Sequence, residues 1–484
     1  MKELYVPIII GGEEIKNSSE NYTFSYPNLE VHVPKLNNNL VSKLDNITCE
    51  EIHELKLNDI VAFFCEVAKL WKNPDYECRK LAEKYGPMIT GQSPQMYFHN
   101  IGIMFSLISL KVYSQDIVDS ELIMGKTIID EWVPCHNAYI HAEPLGKLLH
   151  IVSGNVPVAG IYSIFRGALT KNANTIKISS KDLLTSLLFI KSFYDIDPNH
   201  PITKSTSAIY WGRNEENLIN HFCAHSNGIC IWGGKDTIGT YKPKAPAECE
   251  VIEYGPKTGM QLIIWDENSA PDLPLRVARD ICVFDQEACL SPQIIYLQGD
   301  AESFISELSK GLEKYNVYWP KGDNSIDHYI HMNYTIQANA FFGNPSYKDE
   351  KLKWLIVNMK KDAHLSLEHP LGRTVYIYPL DDIKDGLRFV DSGVQTIGVE
   401  PKSLAYELKD ELSKRGVRRI ANVGCVDFPR PGIVHNSQYL SRLVRISGIE
   451  REMAYKYKTY DFPEDYVHPL LATSIKNEGD NANE

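Results

Sequence analysis

The side chains best suited to covalent chemistry are thiols: Cys49, Cys65, Cys78, Cys135, Cys223, Cys230, Cys249, Cys282, Cys289 and Cys425. Ten in 484 residues, scattered, lack the density of a secreted disulfide framework and read as reduced. Most such cysteines are small buried hydrophobes, so the question is which one stands where a thiolate nucleophile can form. Cys289 lies in Asp285-Gln-Glu-Ala-Cys-Leu-Ser-Pro292. Cys282, seven residues earlier and on the same face of any helix there, is its competitor, although Ile281 and Val283 beside it favour core packing. His221-Phe-Cys223-Ala-His225 with Cys230 has metal-binding residue types. Its spacing fits no common zinc module; a semi-buried helix end is the plainer reading, and no metal is expected. There is no Gly-x-Gly-x-x-Gly, Gly-x-Ser-x-Gly or His-Glu-x-x-His, and Gly125-Lys-Thr127 has Ser120 where a P-loop needs its first glycine.

Positioning a reactive group falls to the elements around it. From Leu145 short apolar runs alternate with helical stretches: Leu148–Val152, Thr175–Ile178, Ser207–Trp211, Gly228–Trp232, Gln261–Trp265 and Ile294–Tyr296. This pattern predicts parallel βαβ units. The segment His150-Ile-Val-Ser153-Gly-Asn155-Val-Pro157, then Gly167-Ala-Leu169, then Asn174 to Ser180, is one such unit: strand, turn, helix, strand. Upstream, Ile60, Val61, Phe64, Ala68 and Trp71 form one helix stripe from Leu57, closed by Asn73-Pro74 and preceded by a Thr48-x-x-Glu51 capping box. A second long helical region runs to Leu122, Ile128 to Ile140 reads as extended chain, and the first ~40 residues read as a peripheral arm.

The composition, 43% hydrophobic and 23% charged, is that of a folded globular chain. A net charge of −12 without a basic stripe argues against a nucleic-acid role. No apolar run reaches ~18 residues, and the opening with Lys2 and Glu3 is unlike a signal peptide, so no membrane span and a cytoplasmic location are expected.

Five blocks carry a resemblance: Ser153-Gly-Asn155-Val-Pro157, the strand with Lys177, Ile231-Trp-Gly233-Gly234-Lys-Asp236, Glu253-Tyr-Gly-Pro-Lys257 and the Cys289 segment. Together they resemble the aldehyde dehydrogenase superfamily, and within it the acyl thioester reductase branch that serves fatty acid reduction in bacterial luminescence. Glu253 follows Asn155 by 98 residues and Cys289 follows Glu253 by 36, close to the family's intervals. Glu368-His-Pro-Leu-Gly372 and Tyr378-Pro-Leu-Asp-Asp382 match its later blocks, so the likeness spans about Pro144 to Asp382. It departs from the family at the Cys289 segment, where Gly-Gln-x-Cys is not kept, and at Gly234, where a serine is usual.

The resemblance implies an α/β fold of aldehyde dehydrogenase type: a Rossmann-type cofactor domain (1–126 and 145–252), an α/β catalytic domain (253–434), and a small oligomerisation arm and strand (127–144 and 435–470). Residues 471–484 read as a disordered tail. It implies Cys289 as nucleophile, Asn155 as oxyanion donor and Glu253 as proton carrier, with Lys177, Ser179, Ser180, Gly233, Gly234 and Glu368 on the cofactor. Ser180 stands where NAD users carry glutamate, which points to NADPH. The implied substrate is a long-chain acyl thioester, and the implied partners are acyl-protein synthetase and acyl-transferase subunits and further copies of the chain. Read singly, each residue has a plainer role: Cys289 a buried thiol, Asn155 a helix cap, Glu253, Glu368 and Lys177 strand-end charges. The rival activities are an NAD-dependent aldehyde dehydrogenase, a cysteine acyltransferase or thioesterase without nicotinamide, and a scaffold subunit.

Overall fold

Short apolar runs become parallel strands when helices cover both faces of the sheet they form. In the computed structural model, which describes the chain except residues 1, 17, 136–137, 324–325, 361–368, 428–429, 433–438 and 451–484, two such sheets form. The first is ordered Glu250–Tyr254, Gly228–Trp232, Lys147–Ile151, Ala173–Lys177, Thr206–Ile209, Ile8–Ile10, Glu13–Ile15. Its first five strands are parallel, and the last two join through antiparallel pairings of Ile8–Ile10 with Thr206–Ile209 and of Glu13–Ile15 with Ile8–Ile10. The chain moves outward from Lys147–Ile151 in one direction, then returns to its other side at Gly228–Trp232. Sheets of this kind hold ligands in the crevice beyond the carboxyl ends of the two strands where the order reverses.

The second sheet is ordered Ser346–Lys348, Leu355–Asn358, Thr374–Leu380, Pro292–Gly299, Thr258–Trp265, Val394–Glu400, Arg419–Ala421, all parallel except the first. Only Gly255, Pro256 and Lys257 separate the Glu250–Tyr254 strand of one sheet from the Thr258–Trp265 strand of the other. Glu253 and Tyr254 thus belong to the first sheet, and the junction falls two residues later than the 252/253 boundary expected from sequence. Phe64, Phe165, Phe189 and Phe193 fill the core of the first unit edge to face, with centroids 4.8–5.5 Å apart.

Three local expectations are corrected and a fourth, the helical region to Leu122, is divided more finely. Ile8–Ile10 is buried and pairs with the sheet through Ile9 and Ala208, so the opening residues are part of the structure and not a peripheral arm. The Thr48 capping box does not form: Cys49 occupies the N-cap of Glu50–His53, and no side chain caps it. The region to Leu122 is three helices, Glu77–Thr90, Pro94–Ile108 and Lys111–Glu121. Gly91, at φ 75°, ends the first, and Ser93 caps the second before Pro94. Thr127–Asp130 is helical, and the extended chain begins only at Val133–Cys135, which pairs with Ala138–Pro144. Val444–Glu450 adds seven paired residues to that hairpin, while the rest of the expected C-terminal strand and tail, including Tyr455 to Tyr460, lies outside the described residues. No single helix among the described residues is long and apolar enough to cross a membrane; the apolar pair Pro94–Ile108 and Lys111–Glu121 is bent by 81°.

Candidate active site

Where the two sheets meet lies a cleft of about 780 Å³. It takes in the reversal crevice of the first sheet, through Ile151 to Gly154 and Trp232 to Gly234, and the inter-sheet crossing Gly255 to Lys257. Cys289, Asn155, Lys177, Ser179, Ser180, Gly233 and Gly234 all line it. Cys282 does not: it ends the Leu273–Cys282 helix fully buried in the core, as its apolar neighbours suggest.

Cys289 is held by a backbone of unusual shape. Phe284, Asp285 and Gln286 are all left-handed, at φ 55°, 51° and 66°, and so are Leu371, Gly372 and Arg373, at 58°, 58° and 66°. Non-glycine residues persist there only where their surroundings over-determine them, at about 1–3 kcal/mol each. The two runs clamp one another. Buried Arg373 donates Nε to Asp285 Oδ1 at 2.8 Å, and its Nη2 lies 2.6 Å from the same oxygen, while the Gly322 N–H donates to Asp285 Oδ2 at 3.1 Å. Gln286 Oε1 accepts from the Thr374 N–H at 2.9 Å, and its Nε2 donates to the Thr374 and Pro292 carbonyls. Counted back from Cys289, the glycine of the resembling family's Gly-Gln-x-Cys falls on Gln286, where the positive φ favours glycine. Asp285, Gln286 and Arg373 are supporting residues that the sequence reading did not identify.

The Cys289 thiol donates to Gln395 Oε1 at 3.7 Å. Burial pushes it up to about 11, against the pull of its own backbone N–H and the Lys257 ammonium. Near pH 7 the resting group is therefore a neutral thiol. Its alkylation by iodoacetamide in the free protein is expected to rise roughly tenfold per pH unit between pH 7 and 9, following the thiolate fraction. Mass-spectrometric rates of Cys289 modification check this; a plateau below pH 8 contradicts it.

Asn155 donates Nδ2 to the Glu287 carbonyl at 2.6 Å, leaving the second hydrogen of that amide for another acceptor. Its buried Oδ1 finds no partner among the described residues. It does not cap the Val158–Leu169 helix, whose N-cap is Pro157 without a side-chain bond. Glu253 is not brought to the cleft. Along its strand Ile252 and Tyr254 turn inward, so Glu253 faces the other way and pairs with Lys242 at 2.6 Å. Tyr254 takes the cleft position, stacked on Trp232 with centroids 3.8 Å apart. A carboxyl that does reach the cleft is Glu287, which burial pushes up. Glu368 lies outside the described residues.

Lys177 ends its strand over the Tyr210 ring, 4.8 Å from the centroid. Burial, then repulsion from Arg213, brings it down to about 8. Lys181 and Arg213 line the same end of the cleft beside Ser179 and Ser180. Arg213, also missed in the sequence, follows Tyr210-Trp-Gly212 just past a parallel strand, a place where a basic residue is a usable signal. The His221 group does not converge. It lies on the Glu216–Ala224 helix, with His221 Nε2 2.9 Å from Asp45 Oδ1, Cys223 buried and His225 stacked on His221. Among the described residues, His53, His141 and Glu143 are the group whose donor atoms do converge.

Comparison with known proteins follows this geometry. Residues 52–446 match the family model described as acyl-CoA reductase (LuxC). The long-chain acyl-protein thioester reductase of Vibrio harveyi is 30% identical over 464 residues, covering 95% of each chain. That of Aliivibrio fischeri is 33% identical over 473, covering 94% of this chain and 95% of its own. Among solved structures, the aldehyde dehydrogenase KauB from Pseudomonas aeruginosa superposes with TM-score 0.72 at 12% identity, over 92% of this chain and 96% of that one. The NADP-dependent glyceraldehyde-3-phosphate dehydrogenase from Bacillus halodurans C-125, solved with NADP, does so at 0.68 and 15%, over 92% and 99%. The chain has the aldehyde dehydrogenase fold and belongs to the acyl-CoA reductase (LuxC) family.

Proposed function

We propose that the protein reduces long-chain fatty acyl thioesters to fatty aldehydes with NADPH, through an acyl-enzyme on Cys289, to supply aldehyde for luminescence. The observation that carries this reading is one cleft shared by the clamped Cys289, the Asn155 amide and the reversal crevice of a parallel sheet. The Cys289 thiol first loses its proton to solvent; its thiolate then attacks the thioester carbonyl, and the new C–S bond forms as the donor thiolate leaves and takes up a proton. Asn155 Nδ2 and a backbone N–H beside Cys289 hold the oxyanion. A reduced nicotinamide bound in the crevice supplies the hydride that takes the acyl group to the aldehyde level. Cys289 then departs as thiolate and aldehyde is released. No water need be activated, so no step is assigned to Glu253, which serves as the partner of Lys242. By likeness Glu368 keeps a place on the nicotinamide ribose.

The cleft fits such a cofactor. Gly233 and Gly234 let a pyrophosphate approach the backbone, and a Cβ at Gly234 would meet nothing within 4 Å. Lys177, Lys181 and Arg213 with the Ser180 hydroxyl line an end of the cleft suited to a 2′-phosphate, whose charge would offset the burial and the Arg213 repulsion that hold Lys177 down. Ser180→Glu is expected to raise KM for NADPH roughly tenfold or more, ~1.4 kcal/mol of like-charge penalty, with much less change for NADH. Steady-state kinetics with each cofactor test it; an unchanged NADPH constant removes Ser180 from the ribose.

The acyl group is delivered, in this reading, by acyl-transferase and acyl-protein synthetase subunits of a fatty acid reductase complex. The arm is proposed to join copies of the chain, because Trp132, Tyr139, Ile446 and Ile449 are exposed along it. Sedimentation at micromolar concentration should show at least a dimer; monomer alone overturns this.

A further inference from the structure

One wall of the Cys289 cleft is the Pro94–Ile108 helix, which presents Asn100, Ile103, Met104 and Leu107, spaced i, i+3, i+4, i+7 on a single face. Across the adjoining face of the same helix runs a second cavity, of about 800 Å³. Its walls include Trp71, Phe98, Phe105, Tyr318 and Trp319, and Ile103 and Leu107 border both cavities. Gly102 lies in this groove, and a Cβ there would meet nothing within 4 Å. Phe98 and Tyr318 are 46% and 65% exposed, so large apolar side chains stand open around the gap that Gly102 leaves. A chain passing from one cavity to the other crosses at most one helix width, about 10–12 Å.

We propose that this groove seats the distal part of the acyl chain. The carbonyl lies at Cys289, the nearer methylenes follow Ile103, Met104 and Leu107, and the tail passes over Ile103 and Leu107 into the space beside Gly102. The proposal rests on the acyl thioester reading above and adds the determinant of chain length. The border the groove shares with the cleft at Ile103 and Leu107 favours the substrate's own tail over a partner protein as occupant. An unbranched chain suits the site because each methylene it buries favours binding roughly fourfold.

The test is kcat/KM for straight-chain acyl-CoA esters from four to sixteen carbons, with NADPH, for the wild-type protein and for Gly102→Trp and Ser106→Trp. The first variant fills the groove from its floor and the second from its exposed rim; Gly102→Ala is the control for helix propensity. Wild-type kcat/KM should climb with chain length. Either tryptophan should lower the values for fourteen and sixteen carbons at least tenfold and leave the four-carbon ester within twofold. A folded variant, judged by its melting temperature, that loses activity equally at all lengths or at none overturns the groove assignment. A wild-type protein that reduces no ester of any length overturns the acyl thioester reading itself.

Discussion

Cys289→Ser is expected to give a folded protein that takes no label from a radioactive long-chain acyl-CoA and makes no aldehyde. A serine hydroxyl there would take Gln395, a neutral amide, as its neighbour in place of a base, and Glu253 faces Lys242. A hydroxyl without a base is a far weaker nucleophile than a thiolate, so activity should fall by several orders of magnitude. Cys282→Ser should keep most of its activity, since Cys282 is fully buried and outside the cleft. Glu253→Gln should do the same if reduction needs no base at that position. Protein-bound label retained by Cys289→Ser would move the nucleophile elsewhere; loss of label on Cys282→Ser would name the other thiol.

The second large effect is expected at Arg373, which touches neither cleft nor cofactor. Arg373→Leu leaves the buried Asp285 carboxylate without its cation, while Asn316 Oδ1 and the Trp319 carbonyl lose the donors that reach them at 3.3 and 2.8 Å. Breaking a buried pair from one side costs about 3–5 kcal/mol, so a melting temperature lower by several degrees is expected. Relaxation of the left-handed Phe284–Gln286 run should also carry Cys289 out of line. A displacement of ~1 Å is enough for a hundredfold loss in kcat/KM. Adding Asp285→Asn to Arg373→Leu removes the orphaned charge and should return part of the stability without returning the activity. Calorimetry and single-turnover acylation separate the two. A single variant that melts like wild type would show that the pair does not hold the loop.

Four parallel strands of the first sheet and the two central ones of the second, Thr258–Trp265 and Pro292–Gly299, were legible because a strand buried on both faces must be apolar along its length, and Gly, Asn and Pro bound such runs. Lys177 could be placed at a strand end for the same reason, and Asn155 at a turn. The clamp around Cys289 was not legible. Asp285 and Arg373 lie far apart in sequence, and nothing in a lone arginine announces a left-handed backbone. The loss of the family's Gly-Gln-x-Cys pattern marked the spot but not the partner of Asp285. Glu253 was misplaced for a different reason: spacing to Cys289 fixes where its strand ends, whereas which way a side chain turns depends on the pleat. Reading Ile252 and Tyr254 as the inward pair would have turned it outward.

The hairpin of Ile8–Ile10 and Glu13–Ile15 has a consequence for handling the protein as well as for its fold. A parallel sheet ending at Thr206–Ile209 would offer a bare row of amide and carbonyl groups to any passing strand, the usual seed of aggregation. The hairpin covers that row, and its own outer strand carries Glu13 and Glu14, with Glu14 pinned to Lys191 at 2.8 Å. Charge on the last strand discourages further pairing. The Ile8–Ile15 hairpin thus acts as an edge guard, and a chain without it would expose both that row and the core against which Ile8 and Ile9 are buried, losing solubility and stability together.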